Sequence, residues 1–264
     1  MTEGKVDTEW ARPSERPFVR QAEEWVSRSL NRRMMWLTDF LSPREQFLLQ
    51  SVVNRQAAWV EFSGGFPDAE RQRACIMPEN WYPTEEDFSL RWLTIRPISP
   101  QERLTHRSVL GSLLGLGIER KVLGDVVSLK DHTGYAAVLT SSMAEYAYQH
   151  LHKVGPQNVD VMLLYQTPLI ERDSYEWKSI SVNSCRIDAV VSEVCHWSRN
   201  KTKEAILSQQ IFVNSLVAYK PEELLEAGDR VSVRGFGRIQ IGEVTGKSKS
   251  NRLWLSVATL RDKA

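Results

Sequence analysis

Between residues 89 and 165 the sequence alternates strand-like and helix-like stretches, and this alternation most limits the folds open to the chain. "LRWLTIR" reads as a strand. "THRSVLGSLLGLG" reads as a helix with Val109, Leu110, Leu113 and Leu114 on one face, stopped by Gly115 and Gly117. "DVVSLK" and "YAAVLT" read as two strands around the turn "DHTG". "SSMAEYAYQHLHKVG" reads as a helix capped by Ser141 or Ser142 and ended by Gly155, and "VDVMLLY" as a final strand. The order is β-α-β-β-α-β, the ferredoxin-like pattern that RRM domains also use. An RRM would carry its base-stacking strand on "YAAVLT", where Tyr135 alone is aromatic, so no stacking platform is expected. "GSLLGLG" puts its glycines at the end of a helix rather than the start, which excludes a dinucleotide fingerprint.

Upstream, residues 1–60 read as helical. Phe18, Ala22, Trp25, Val26 and Leu30 recur at helical spacing. "LSPREQFLLQSVV" places Ser42 as N-cap, Pro43 at the first helical position and Glu45 three residues after the cap, a capping box. Phe47, Leu48, Val52 and Val53 are expected to face inward. "NRRMMW" (31–36) reads as a helix end with solvated arginines, against a basic-aromatic contact patch. A strand is expected at about 73–77. Gly64-Gly65 is followed by no GK[ST], so it reads as a tight turn and not a phosphate loop. Residues 166–183 read as a linker or an edge strand leading into the last domain.

The net charge of +1 hides an asymmetry. Residues 182–264 carry 13 Lys and Arg against 9 Asp and Glu, whereas residues 1–181 carry 21 against 24. A basic partner surface is therefore expected at the C-terminal end. Cys75, Cys185 and Cys195 form no CxxC, and "HLH" on a helix would point its histidines in different directions, so neither disulfides nor a metal site is expected. The polar start "MTEGKVDTEW" does not read as a signal peptide, and no apolar run approaches the roughly 20 residues of a membrane span. A reducing, cytoplasmic setting is expected.

The stretch from Ser184 to Gly237 carries the functional signal. Its first helix puts Ile187, Val190, Val191 and Val194 inward. Ser198 caps a second helix whose first turns carry Arg199, Lys201 and Lys203. A helix N-terminus attracts phosphate, and cations there cost a few tenths of a kcal/mol each against the helix dipole. That cost favours a bound polyanion; a solvated basic face is the alternative. "IFVN" reads as a strand, and "AGDRVSVR" as a turn and strand with Val231 and Val233 inward. "RGFGRIQI" (234–241) matches four positions of RNP1, but Arg238 stands where an aromatic is required. It reads as an exit strand, with Phe236 capping the core in preference to stacking on a base.

This segment resembles the S4 (alpha-L) RNA-binding domain. The family pattern R-L-D, S-R-S-x-A, G-x-V-x-V-N-G, proline and G-D-x-I-x-V appears in order. Here it reads Arg186-Ile187-Asp188, Ser198-Arg199-Asn200-Lys201, Ile211-Phe212-Val213-Asn214, Pro221, and Gly228-Asp229-Arg230-Val231-Ser232-Val233. Gln210 and Ser215 depart from it. The resemblance implies RNA contact by Arg186, Ser198, Arg199, Lys201, Lys203 and Asn214, and Asn200, Arg234 and Arg238 complete the candidate set. Asp188 reads as an orienting partner for Arg186 or as a helix-terminus charge. Further stretches, "LTDFLSPREQFLLQSVV", "FSGGFPDAERQR", "HRSVLGSLLGLGIERKVLGDV" and "VSVRGFGRIQIGEVTGKSKSNRLWLSV", resemble the YlmH family. That resemblance implies an α+β chain with an N-terminal helical region over 1–70, a central ferredoxin-like (RRM-like) domain over 71–166 and an S4 domain over 182–264. It also implies binding to rRNA of the large ribosomal subunit and to tRNA in ribosome-associated quality control.

Enzyme classes that carry S4 domains fit less well. "TGKSKSN" (245–251) is similar to a synthetase KMSKS loop but lacks a companion HIGH motif, and reads as a basic hairpin tip. No separate pseudouridine synthase domain and no methyltransferase glycine loop is found. The expectation is a non-enzymatic protein with no cofactor, metal, membrane or small-molecule partner. The alternative is a protein-interaction adaptor linked to cell division, with secondary RNA binding.

Overall fold

The computed structural model describes residues 11, 13, 15–67, 69–78, 81–171, 176–214, 216–248 and 251–261. The chain forms two compact units, Met1–Arg172 and Asp173–Ala264, and mixes helices with antiparallel sheets in the α+β manner.

The first unit begins with α1 (Arg16–Arg32), β1 (Trp36–Leu41), α2 (Pro43–Val53), β2 (Ala58–Ser63) and β3 (Gln72–Pro78). Helix α1 buries Val19, Ala22, Val26 and Ser29 at helical spacing and stops at Arg33 in a left-handed conformation. The capping box of α2 is formed: Ser42 N–H donates to Glu45 Oε2 at 2.7 Å and Glu45 N–H donates to Ser42 Oγ at 3.4 Å. Leu48, Val52 and Val53 are buried as expected, but Phe47 is exposed, with the Arg44 guanidinium 5.0 Å above its ring. The expected N-terminal helical region is corrected, because β1, β3 and β2 form a three-stranded antiparallel sheet in that order. Residues 36–41 pair with residues 72–76, a distant partner that a local pattern does not reveal. Strand β3 is thus the centre of a sheet whose other strands lie before residue 70.

Next come β4 (Leu90–Pro97), α3 (His106–Gly115), β5 (Leu123–Ser128), β6 (Tyr135–Thr140), α4 (Ser141–His150), β7 (Lys153–Val154) and β8 (Gln157–Leu164). The expected β-α-β-β-α-β order is present, with β7 adding a short hairpin to β8, and the sheet runs β5-β6-β4-β8-β7. One face packs Leu93, Ile95, Ala137 and Leu139 against Val109 and Leu113 of α3 and Ala144 and Ala147 of α4. Leu114, expected on that face, is exposed. The N-cap of α4 is Thr140, not Ser141 or Ser142, and makes no side-chain capping bond. Helix α4 ends at His150, so the "HLH" histidines do not share a helix.

The opposite face of this sheet is used internally. Trp92, Ala136 and Val138 pack against Phe40, Cys75 and Met77 of the first sheet. Two arginines stitch the same seam. Arg73 donates to Thr38 O and Phe88 O at 2.7 Å each, and Arg71 donates to Phe40 O and Arg120 O at 3.1 Å each. The Asp125 carboxylate accepts Glu70 N–H at 2.6 Å. Desolvation lowers the pKa of both arginines and raises that of Asp125.

The second unit contains β9 (Glu176–Val182), α5 (Ile187–Cys195), α6 (Arg199–Leu207), β10 (Ile211–Val213), β11 (Leu216–Val217), β12 (Arg230–Val233), β13 (Gly237–Lys247) and β14 (Leu253–Arg261). They form one antiparallel sheet, β11-β10-β12-β13-β14-β9. Residues 176–182 are therefore an edge strand, paired to β14 from Thr259↔Glu176 to Leu253↔Val182. Ile187, Val190, Val191 and Val194 of α5 pack on Val231, Val233, Ile239 and Val257, with Phe236 against that core. "RGFG" forms the turn from β12 to β13, closed by Phe236 N–H to Val233 O at 3.0 Å, with Gly235 at φ +78. The expected exit strand starts only at Gly237. Ser215, and Lys249 and Ser250 of the expected basic hairpin tip, lie outside the described residues.

Candidate nucleic-acid interface

Helices α5 and α6 meet at a tight corner. His196 ends α5 in a left-handed conformation, and Trp197 N–H donates to Ser192 O at 3.0 Å. Ser198 then caps α6, its hydroxyl accepting Lys201 N–H at 3.1 Å. The fully buried Thr202 sits 2.9 Å from the Ser192 hydroxyl and fixes the first turn of α6 against α5. The N-terminus of α5 is held from elsewhere, with Ile187 N–H donating to Glu223 O at 2.9 Å and Asp188 N–H to Pro221 O at 3.1 Å. Pro221 of the resembling pattern thus serves as a backbone acceptor for a helix start.

Asp188 organises the cations. Its side chain is 1% exposed. Arg186 reaches it through Nε and Nη2 at 3.1 and 3.2 Å, a two-pronged pair, and Arg199 Nη1 lies 3.8 Å away. A buried carboxylate needs such pairing. The half-exposed guanidiniums are held side by side, with donors left over for another acceptor, since each carries five N–H groups. Lys201 adds its ammonium 4.3 Å over the Trp197 ring. Lys203 is exposed one helical turn after Arg199, and Asn200 is exposed beside it. Arg186, Ser198, Arg199, Asn200, Lys201 and Lys203 therefore stand around one helix corner, where unpaired helix-start amides favour an anion.

The other three candidates lie apart from it. Asn214, at φ +49, donates through Nδ2 to Asp229 at 2.8 Å and accepts Arg230 N–H at 2.9 Å. It clamps two turns together. Arg234 lies in the β12–β13 turn and its N–H donates to Gln210 O at 3.0 Å, beyond the C-terminal end of α6. That is about 13 Å from the Ser198 cap by helix length. Arg238 pairs with Ser232 and Leu260, on the sheet face away from α5 and α6. Trp197 was missed by sequence reasoning; an aromatic four residues before Lys201 was the available signal.

Among the described residues no group of three His, Cys, Asp or Glu side chains is placed to hold a metal, and no helix is long and apolar enough to cross a membrane.

The chain is 34% identical over 242 residues to "Ribosome-associated protein quality control protein P2" of Bacillus subtilis (strain 168), covering 91% of this chain and 93% of that one. It belongs to the YlmH family. Two YlmH family models match in sequence, "YlmH, N-terminal" over residues 14–81 and "Putative RNA-binding domain in YlmH" over 83–167. The solved "Cell division protein ylmH from Streptococcus pneumoniae" is similar at a TM-score of 0.50 and 27% identity, covering 58% of this chain and 92% of that chain. The first YlmH match includes all of β1, β2 and β3, and the second spans β4 to β8.

Proposed function

We propose that this YlmH-family protein binds structured RNA, namely rRNA of the large ribosomal subunit and tRNA, in ribosome-associated quality control. Residues 182–264 act as an S4 domain that grips the phosphate backbone. The observation that carries the reading is the buried Asp188 presenting Arg186 and Arg199 together beside the α6 N-terminus. The name of the Bacillus subtilis relative supports the ribosomal setting. Binding is positional and non-enzymatic, needs no cofactor or small molecule, and takes place in the cytoplasm. Residues 71–166 act as an RRM-like domain and residues 1–70 as a flanking region. Affinity falls as salt rises, because phosphate contacts release counterions.

Sedimentation of a lysate through a gradient tests this. At low salt the wild type travels with large subunits, and Arg186→Ala combined with Arg199→Ala releases it. Full co-sedimentation of the double variant would remove the helix corner as the anchor, and a wild type that never co-sediments would end the ribosomal reading.

A second reading is a protein adaptor linked to cell division. It is supported by the exposed Phe47 and Trp59 in the N-terminal region and by the name of the Streptococcus pneumoniae structure.

A further inference from the structure

The six-stranded sheet of the second unit has two faces, and α5 and α6 cover one of them. Strand register assigns side chains to the other. One row across the sheet runs Trp177, Ala258, Gln240 and Arg230. A neighbouring row runs Leu260, Arg238, Ser232 and Phe212. Trp254 shares the face farther along β14, opposite Ser181. Paired side chains directly across neighbouring strands point to the same side.

Two features of this face need a cause. First, Trp177 is 55% exposed and Trp254 is 40% exposed, although neither caps the core. Trp177 is nonetheless seated in a fixed place. An added Cβ at Gly242 would lie 2.7 Å from its ring, so β13 leaves out a side chain where the indole rests. Second, the charged residues at the paired positions just named are Arg230 and Arg238, with Glu243 confined to the bulge between Ile241 and Val244. Short hydroxyls, Ser179, Ser181, Ser232 and Ser256, fill much of the remainder. A flat, hydroxyl-rich surface with two indoles and two guanidiniums matches the chemistry of a single nucleic-acid strand. Bases stack on aromatic rings without regard to sequence, and phosphates require cations.

We propose that this face binds single-stranded RNA, with bases on Trp177 and Trp254 and phosphates at Arg230 and Arg238. The inference rests on the RNA-binding reading above but uses a separate surface. Charge complementarity selects the occupant: a polyanionic strand gains from both the indoles and the positive charge of Arg230 and Arg238, whereas a second protein would gain chiefly from the indoles. The span supports it too. Trp177 and Arg230 are three strand spacings apart, about 14 Å, room for about two nucleotides of an extended strand. On this assignment Arg238, distant from the helix corner, becomes a contact of the second surface.

The test uses the full chain and two fluorescein-labelled RNAs, an oligouridine about ten nucleotides long and a folded tRNA, with affinity read by anisotropy at low salt. Trp177→Ala with Trp254→Ala is expected to weaken oligouridine binding about tenfold or more and to leave tRNA binding unchanged. Trp177→Phe keeps a ring and is expected to retain most of the affinity. Arg186→Ala with Arg199→Ala should do the converse, weakening tRNA and sparing oligouridine. If the wild type binds tRNA but not oligouridine, the proposal is overturned and the helix corner stands. If it binds neither, the underlying reading fails. Should the tryptophan variant lose both RNAs together with a lowered melting midpoint, Arg230→Gln with Arg238→Gln decides: unaltered oligouridine binding overturns the proposal.

Discussion

Asp188 and Arg186 form a two-pronged ion pair, 3.1 and 3.2 Å, in which the acid is buried and the base is half exposed. The asymmetry suits a site in which the carboxylate sets direction and the guanidinium does the binding. Asp188→Asn keeps the shape but removes the charge that holds two arginines together. RNA affinity is expected to fall about tenfold, since charge-assisted bonds are roughly twice as strong as neutral ones. Filter binding measures it. Stability in urea should drop by only about 1–2 kcal/mol.

The salt dependence of binding counts phosphates. Each arginine that neutralises one phosphate should lower the slope of log affinity against log salt by about one. Arg186→Ala with Arg199→Ala should therefore lower it by about two. An unchanged slope would mean that neither guanidinium meets a phosphate.

Ser198 does two jobs that substitution can separate. Ser198→Ala removes the acceptor for Lys201 N–H and should cost about 1 kcal/mol of stability. Ser198→Asp keeps an acceptor at the cap but puts a negative charge where phosphate would sit. Its melting midpoint should stay near wild type while RNA affinity falls, which paired melting and binding curves resolve.

The contact between Gly124 and Phe40 tests how firmly the first unit is joined. A Cβ on Gly124 would lie 2.6 Å from Phe40 Cε1, and that ring is buried. Gly124→Ala is expected to destabilise by about 1–3 kcal/mol, by the cost of overpacking, in urea unfolding.

Burial pushes the Cys75 thiol up to about 11 and the Cys195 thiol up to about 12. Below the ordinary value near 9.0 both are neutral, folded or unfolded, and contribute no pH dependence. Above it the unfolded thiols ionise first, so their effect is a loss of stability as pH rises from about 9 towards 11 for Cys75 and towards 12 for Cys195. Cys185, partly exposed, should react first with a thiol reagent at mildly alkaline pH, and the other two only on unfolding, by a timed absorbance assay.

Features set by neighbours in sequence were legible. The Ser42–Glu45 box lies within one turn, and the inward face of α5 repeats at helical spacing. Features set by distant partners were not. Residues 36–41 become a strand because β3 pairs with them, and their own pattern is too short to reveal it. Asn214 looked like a contact residue, yet Asp229, fifteen residues later, engages its amide. Arg186 and Arg199 were legible singly; that one carboxylate gathers both depends on how the α5–α6 corner folds back.

The pairing of β9 with β14 also governs the order in which the second unit can be completed. Its first strand finds its partner only after residues 253–259 have been made, so the sheet cannot close while that stretch is still being synthesised. The contact between α5 and α6 joins residues close in sequence and needs little loop closure, but the start of α5 also waits for residues 221–223. Until residues 253–259 are made, β9 is a strand without its partner, and α5, whose apolar face rests on β12, β13 and β14, gains its full support only as the sheet is completed.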